Sequence, residues 1–294
     1  LGIRLADAVH TVSPTYMKDI MKRSAPPEFI GGEGLEDDLR QAYREGRLFG
    51  ILNGCNYRNV RTAVPGTLFQ NTVRSIFRWL QMEDKKYKAD FMAHTGEKIL
   101  PQKDTPPEMI CSSVARLTEQ KFYFFKRSPE SLKHILQRLQ EIGGVYMLLG
   151  TGAPEYEEFF RDVSYRNPSF IFINAQSEQL IDSLYLESDL YLMPSLFEPC
   201  GISQMLAMRN SNPCLAHATG GLNDTISHLK TGFLFGGETY AEKIGQLQAV
   251  FDQALALFRE EPEAWAKIRK MAGKQRFTWR KSVDDYYRDL YRFD

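Results

Sequence analysis

The sequence predicts an α/β protein built on a parallel sheet with helices on both faces. Two observations carry the prediction. From residue 109 onward, short apolar runs at 109–115, 145–149, 170–173, 190–193, 213–216 and 233–235 alternate with segments of helical periodicity. These runs are continuous rather than alternately apolar and polar, as strands buried on both faces require.

Taken in order, residues 8–12 form a strand-like run that stops at Ser13-Pro14. Pro14 then opens a helix, where its missing N–H costs nothing, and Ser13 caps it. Gly31-Gly32-Glu33-Gly34 is loop, and a second short run at 48–52 closes on Asn53-Gly54, a turn signal. Residues 66–83 read as a helix with Leu68, Val73, Ile76, Phe77 and Leu80 near one face. The polar, lysine-rich stretch 84–108 ends in Thr105-Pro106-Pro107 and reads as a linker, because prolines stop helices and charges resist burial. The helix after residue 128 is capped by Ser128, starts on Pro129 and ends at Gly143-Gly144. Its apolar stripe is Leu132, Ile135, Leu136 and Leu139.

Composition excludes several classes. The chain has 294 residues, a prior of about two domains. Thirty-seven Lys plus Arg balance thirty-seven Asp plus Glu, without the basic excess of a dedicated nucleic-acid binder. No apolar run approaches the ~20 residues of a membrane span, and charge interrupts the start as it would not in a signal peptide. Cys55, Cys111, Cys200 and Cys214 are far apart and form no CxxC pair, so they read as reduced thiols of a cytoplasmic protein. The first residue is Leu1, so the chain opens as if cut from something longer.

In parallel sheets of this kind, ligands bind beyond the carboxyl ends of the strands. The loop after the first run holds Arg116 and Lys121, a fork and a point charge suited to a diphosphate. Gly150-Thr151-Gly152 follows the second run and lets a ligand approach the backbone closely. After the fourth run, Glu198 precedes Cys200-Gly201-Ile202-Ser203, a helix start whose backbone N–H groups suit an anion. Thr219-Gly220-Gly221 follows the fifth run and suits either a phosphate or close packing. Alone, each has a plainer reading: a solvated pair, a tight turn, a capping glutamate. At four strand ends of one sheet they describe a pocket for a neutral sugar on a nucleotide diphosphate. Cys200 has no His near it in sequence and reads as a buried, inert thiol.

Arg-Leu-Thr-x-Gln-Lys at 116–121, Gly-Thr-Gly at 150–152, Met-Pro-Ser-x-Phe-Glu-Pro-Cys-Gly-x-x-Gln at 193–204 and Thr-Gly-Gly-Leu-x-Asp-Thr at 219–225 together resemble the bacterial glycogen synthases and plant starch synthases. Thr-Val-Ser-Pro-Thr-Tyr at 11–16, Gly-Ile-Leu-Asn-Gly at 50–54 and Phe277-Thr278-Trp279 extend the likeness over nearly the whole chain. The resemblance implies a GT-B fold of two Rossmann-like domains. It implies transfer of glucose from ADP-glucose to the non-reducing end of an α-1,4-glucan such as glycogen, with retention.

On that basis residues 1–60 are the tail of the amino-terminal (starch synthase catalytic) domain. A helical segment and linker follow at 61–108, then the nucleotide-sugar-binding domain at 109–275. The terminal helix, 276–294, packs back toward the first domain. Arg116 and Lys121 would hold the diphosphate and Glu198 the glucose hydroxyls. Cys200, Gly201, Ile202 and Ser203 would line the sugar and distal phosphate, with Thr219, Gly220 and Gly221 in the same wall. Gly150 and Gly152 complete the donor pocket, and Asn53 would reach the sugar from the other domain. The catalytic set is Glu198, Arg116 and Lys121. No Asp-x-Asp motif is present, so neither a metal nor a cofactor beyond the substrate is expected, and the ADP produced simply leaves.

Departures are specific. Phe122 stands where the family has Gly, Asn56 where Asp is common, and Gln176 where an aromatic usually packs near the adenine. The family's Lys-x-Gly-Gly loop and cleft histidine have no counterpart: His10, His94, His134, His217 and His228 all lack the context. Activity is therefore expected to need an amino-terminal half. The aromatic stripe of Val283, Tyr286, Tyr287, Leu290 and Tyr291 reads as core. Two other readings share these motifs: a nucleotide-sugar-binding module without catalysis, and an epimerase, which the Phe-Glu-Pro-Cys-Gly segment disfavours.

Overall fold

The computed structural model describes residues 2–26, 29–58, 64–82 and 86–291. Leu1, residues 27–28, residues 59–63 around the expected boundary after 60, residue 83 of the helix expected over 66–83, residues 84–85 of the expected linker and residues 292–294 of the helix expected over 276–294 lie outside them. The chain divides into two compact units, Leu1–Val60 with Pro194–Asp294, and Arg61–Met193.

The first unit opens with α1 (Gly2–Leu5), β1 (Val9–Thr11), α2 (Pro14–Asp19), α3 (Glu36–Arg44) and β2 (Leu48–Gly50), and β1 and β2 pair in parallel. Ser13 caps α2 as expected, its Oγ accepting the Tyr16 N–H at 3.1 Å. The same hydroxyl donates to the Pro199 carbonyl at 2.7 Å, tying this segment to the second part of its own unit.

The second unit starts with α4 (Leu68–Met82) and α5 (Lys86–Asp104). Residues 86–104 are thus helix rather than linker, and the chain stays helical through Pro101. The reason is burial that the polar composition hides. Phe91, Thr95 and Ile99 are buried along one side of α5. Between them, Lys98 Nζ donates to the carbonyls of Ser164, Asn167 (2.8 Å) and Phe170 (3.0 Å), so its charge is met by main-chain acceptors. On α4 the buried face is Leu68, Phe69, Asn71, Thr72 and Ile76; Phe77, expected on that face, is 59% exposed.

The elements that follow are β3 (Ile110–Val114), α6 (Glu119–Arg127), α7 (Pro129–Glu141), β4 (Val145–Leu149), α8 (Pro154–Arg166), β5 (Phe170–Ile173), α9 (Glu178–Glu187) and β6 (Leu190–Met193). The four strands run parallel in the order β5-β4-β3-β6. β4, β5 and β6 are buried at every position, which is why their sequence shows no alternation. Val145, Met147, Leu149, Ile171 and Ile173 pack with Leu68 and Ile76 of α4 and Leu180 and Leu184 of α9. On the other face Tyr146, Phe170 and Phe172 meet Phe125 of α6 and Phe160 of α8. Ser128 occupies the N-cap of α7 but makes no side-chain cap bond.

The first unit resumes with α10 (Ser203–Arg209), β7 (Cys214–His217), α11 (Gly220–Thr225), β8 (Gly232–Phe235), α12 (Tyr240–Glu260), α13 (Pro262–Gly273) and α14 (Trp279–Asp285), which runs on as a π-helical turn over Tyr286–Tyr291. β7 and β8 pair in parallel. The terminal stripe is surface rather than core in this chain: Val283, Tyr287 and Tyr291 are 43%, 50% and 60% exposed. The helix instead docks through buried Ser282, whose Oγ donates to the Leu52 carbonyl at 2.6 Å.

Candidate functional site

In the second unit, the loops after β3, β4 and β5 open a cleft of about 380 Å³ lined by Arg116, Gly150, Thr151, Gln176, Ser177 and Glu178. Two of the residues expected at the donor, Gly150 and Gln176, thus share one cleft with Arg116. Gln176 is exposed there and donates from Nε2 to the Thr151 hydroxyl at 3.2 Å. The glycines have a packing reason of their own. A Cβ on Gly150 would lie 2.1 Å from the Ala115 carbonyl oxygen, and one on Gly152 2.2 Å from that of Leu117. These glycines let the β4 loop lie against the loop that carries Arg116.

Lys121 sits in the first turn of α6, its N–H bonded to the Thr118 carbonyl at 3.1 Å, and is not among the residues lining that cleft. Phe122, where the family has Gly, is 1% exposed and packs edge-on to Phe160 at 5.0 Å. Its φ of −131° is ordinary for a side-chain-bearing residue, so no glycine is needed. Thr118, passed over in the sequence, is the α6 N-cap yet makes no cap bond, and its buried Oγ1 has no hydrogen-bond partner. Its signal was positional, a Thr just before an acidic first turn.

In the first unit, Glu198 is 6% exposed and its Oε2 accepts from Ser195 Oγ at 3.3 Å. It is not the cap of α10, whose N-cap is Ile202 with no side-chain bond. The Glu198 carbonyl accepts the Gly221 N–H at 2.9 Å, so the Glu198–Cys200 and Thr219–Gly221 loops lie backbone to backbone. Gly220 has a φ of +44°. Of the two uses foreseen for this glycine pair, close packing is realised. Cys200 is 4% exposed within a cluster of Cys55 and Met205. Burial pushes its thiol up to about 11 despite a bond from the Asn53 backbone, which suits an inert thiol. Asn53 also lines a cleft of about 300 Å³ with Pro14, Lys281, Asp285, Arg288 and Asp289. Gly201 and Ser203 are half-buried, and Ile202 is 42% exposed.

Two further ties were invisible in the sequence. Thr15 donates its N–H and its hydroxyl to the Asp224 carboxylate at 2.8 and 2.7 Å. Asp19, 8% exposed, accepts the Gly220 N–H at 3.4 Å, and burial raises its carboxyl despite Lys22 nearby. Together they fasten α2 to the glycine turn.

His217, at the end of β7, is 5% exposed, and burial pushes it down to about 4, against the pull of the Ser195 backbone and with the Lys243 charge adding to it. An unfolded histidine titrates near 6.5, so below that pH the unfolded chain binds the extra proton first. Stability present above about pH 6.5 is therefore lost as pH falls through about 4, by roughly 3 kcal/mol in all. Urea unfolding between pH 7 and pH 4 measures this. The gap between the natural chain and His217→Leu should narrow with acid; a constant gap would exclude the titration.

Among the described residues, no group of three or more His, Cys, Asp or Glu side chains is placed to hold a metal ion. No described helix is long and apolar enough to cross a membrane.

The family described as "Glycosyl transferases group 1" matches residues 102–270, more than half of the chain. The chain belongs to the group 1 glycosyl transferases. Residues 1–41 also match the family described as "Starch synthase catalytic domain". A glycogen synthase of Lactococcus lactis subsp. lactis is 35% identical over 299 residues, which cover 99% of this glycosyl transferase chain and 56% of that protein. One from Desulforudis audaxviator is 31% identical over 297 residues, 98% of this chain and 54% of that protein. The chain thus spans about half the length of the curated relatives it matches.

Among solved structures, the catalytic domain of starch synthase IV from Arabidopsis thaliana, bound to ADP and acarbose, aligns with a TM-score of 0.69 at 22% identity. It covers 99% of this chain and 56% of that one. Sucrose-phosphate synthase from Thermosynechococcus elongatus aligns at 0.60 and 18%, covering 99% and 60%. The fold is accordingly α/β of the GT-B type.

Proposed function

We propose that this glycosyl transferase chain is the donor-binding part of a glycogen (starch) synthase. The complete enzyme transfers glucose from ADP-glucose to the non-reducing end of an α-1,4-glucan, with retention. The observation that carries the reading is the buried Glu198 carboxylate, held by Ser195 in a loop locked to Thr219–Gly221. A carboxylate accepts from sugar hydroxyls, and hydrogen bonds to a charged acceptor are stronger than those between neutral groups. The relatives named glycogen synthase and the ADP in the starch synthase IV structure support the donor proposed.

Residue roles follow by resemblance. Arg116 and Lys121 neutralise the charge that develops on the departing diphosphate, where fixed cations stabilise the transition state more than the ground state. Glu198 holds the glucose ring. Cys200, Gly201, Ile202, Ser203, Thr219, Gly220 and Gly221 shape the pocket around the sugar and distal phosphate, and Asn53, Gly150, Gly152 and Gln176 complete the donor contacts. Attack is from the face that ADP leaves, a donor phosphate oxygen taking the acceptor's proton. The reaction uses no cofactor or metal and takes place in the cytoplasm. Turnover needs an amino-terminal half.

Titration calorimetry of the chain with ADP, ADP-glucose and UDP-glucose tests the reading, beside glucan elongation by the full-length natural protein. ADP-glucose binding and elongation are expected. A chain that binds no nucleotide sugar sinks the assignment, and binding without elongation by the full-length protein leaves a non-catalytic module. Trapping a glycosyl adduct on a side chain would overturn same-face attack.

A further inference from the structure

The loop that carries Glu198 is held on both sides. On the carboxyl side, Gly221 N–H bonds the Glu198 carbonyl, Ser13 Oγ the Pro199 carbonyl, and Gln204 Nε2 the Cys200 carbonyl at 3.0 Å. On the amino side, His217 Nδ1 lies 2.9 Å from the Ser195 carbonyl oxygen. A carbonyl oxygen only accepts, so Nδ1 carries the proton and donates. Ser195 is 1% exposed, and its hydroxyl is the donor to Glu198 Oε2.

We propose that His217 is a positioning residue for Glu198: its ring fixes the Ser195 carbonyl, and thereby the hydroxyl that orients the carboxylate toward the sugar of the donor.

Three features make the ring fit for this. It stacks on Phe235 with centroids 5.2 Å apart and planes 26° apart, so its direction is fixed by packing. Its own carbonyl accepts the Thr219 N–H at 2.8 Å, so one residue at the end of β7 holds both the Ser195–Glu198 loop and the Thr219–Gly221 loop. Burial keeps it neutral through the physiological range, so the donor does not change charge while the site works. A hydrogen bond that acts through a second side chain is worth little in isolation. Its value lies in limiting the carboxylate to one orientation, on which recognition of a sugar hydroxyl depends.

The inference rests on the reading that Glu198 binds the sugar, and ADP, which lacks the sugar, separates the two. Calorimetry of the chain with ADP and ADP-glucose is compared for the natural sequence, His217→Leu and His217→Asn. Asparagine places an amide N–H near the position of Nδ1. His217→Leu is expected to weaken ADP-glucose about 10-fold, the loss of one hydrogen bond's worth of orientation, and to leave ADP within 2-fold. His217→Asn should restore most of the loss. Equal weakening of both ligands, or no rescue by Asn, overturns the positioning role.

A crystal structure of His217→Leu decides independently of any ligand. The Glu198 carboxylate should leave Ser195 Oγ; a carboxylate unmoved from that bond overturns the inference even where the natural chain binds no sugar nucleotide. Failure of the natural chain to distinguish ADP-glucose from ADP counts instead against the assignment of Glu198.

Discussion

Gly220→Ala is expected to cost the protein about 4 kcal/mol and to abolish donor binding. Two penalties coincide. The φ of +44° is left-handed backbone, where a side chain costs about 1–3 kcal/mol. The added Cβ would also lie 1.9 Å from the Glu198 carbonyl oxygen, a main-chain atom that cannot swing aside. Relieving that overlap by moving the backbone costs about 1–3 kcal/mol more. The loop that would have to move carries Glu198, so the damage is to the site as well as to stability. Differential scanning calorimetry should show Tm lower by about 10 °C. Gly245→Ala is the control. It lies inside α12 with nothing within 4 Å of a new Cβ, and the same substitution there should raise stability by about 0.5–1 kcal/mol. A Gly220→Ala protein as stable as the natural one would show that the two loops are not packed as described.

Glu198→Gln should lower kcat/KM of the complete enzyme about 100-fold and leave ADP affinity within 2-fold. Glutamine keeps the size of the side chain and can still accept from Ser195 Oγ, so the loop should hold. What it lacks is charge and a second strong acceptor, and hydrogen bonds to an ionised group are worth about 1.5–3 kcal/mol. Steady-state elongation assays and Tm, measured together, separate the two explanations of this residue. A purely structural glutamate would show a fall in Tm with activity per folded molecule unchanged, and that result would remove Glu198 from the reaction.

Much of the second unit was legible because its information is local. The runs at 145–149, 170–173 and 190–193 are the strands β4, β5 and β6 to the residue, since continuous apolar sequence has few other uses in a chain of this composition. In the first unit, Ser13-Pro14 is likewise a working cap because capping needs only neighbours in sequence. The misreadings have one cause. Residues 86–104 look like linker on composition, yet they form a helix because the carbonyls at the ends of α8 and β5 receive Lys98, some seventy positions away in sequence. Phe77 matched the periodicity of α4 but falls off the face that packs on the sheet.

The site divides in the same way. The sequence by itself determined which residue types stand at each strand end: the cations, the glycine pairs, and the carboxylate before a helix start. Local patterns encode these because a strand-to-helix turn constrains its own few residues. Only the tertiary structure decided what the glycines are for. Gly150, Gly152, Gly220 and Gly221 each sit where a Cβ would strike the backbone of another loop. Only the tertiary structure, too, joined Thr15 to Asp224 and His217 to Ser195. Those pairs are set by which strand ends the topology makes neighbours. No periodicity or spacing along one chain carries that information.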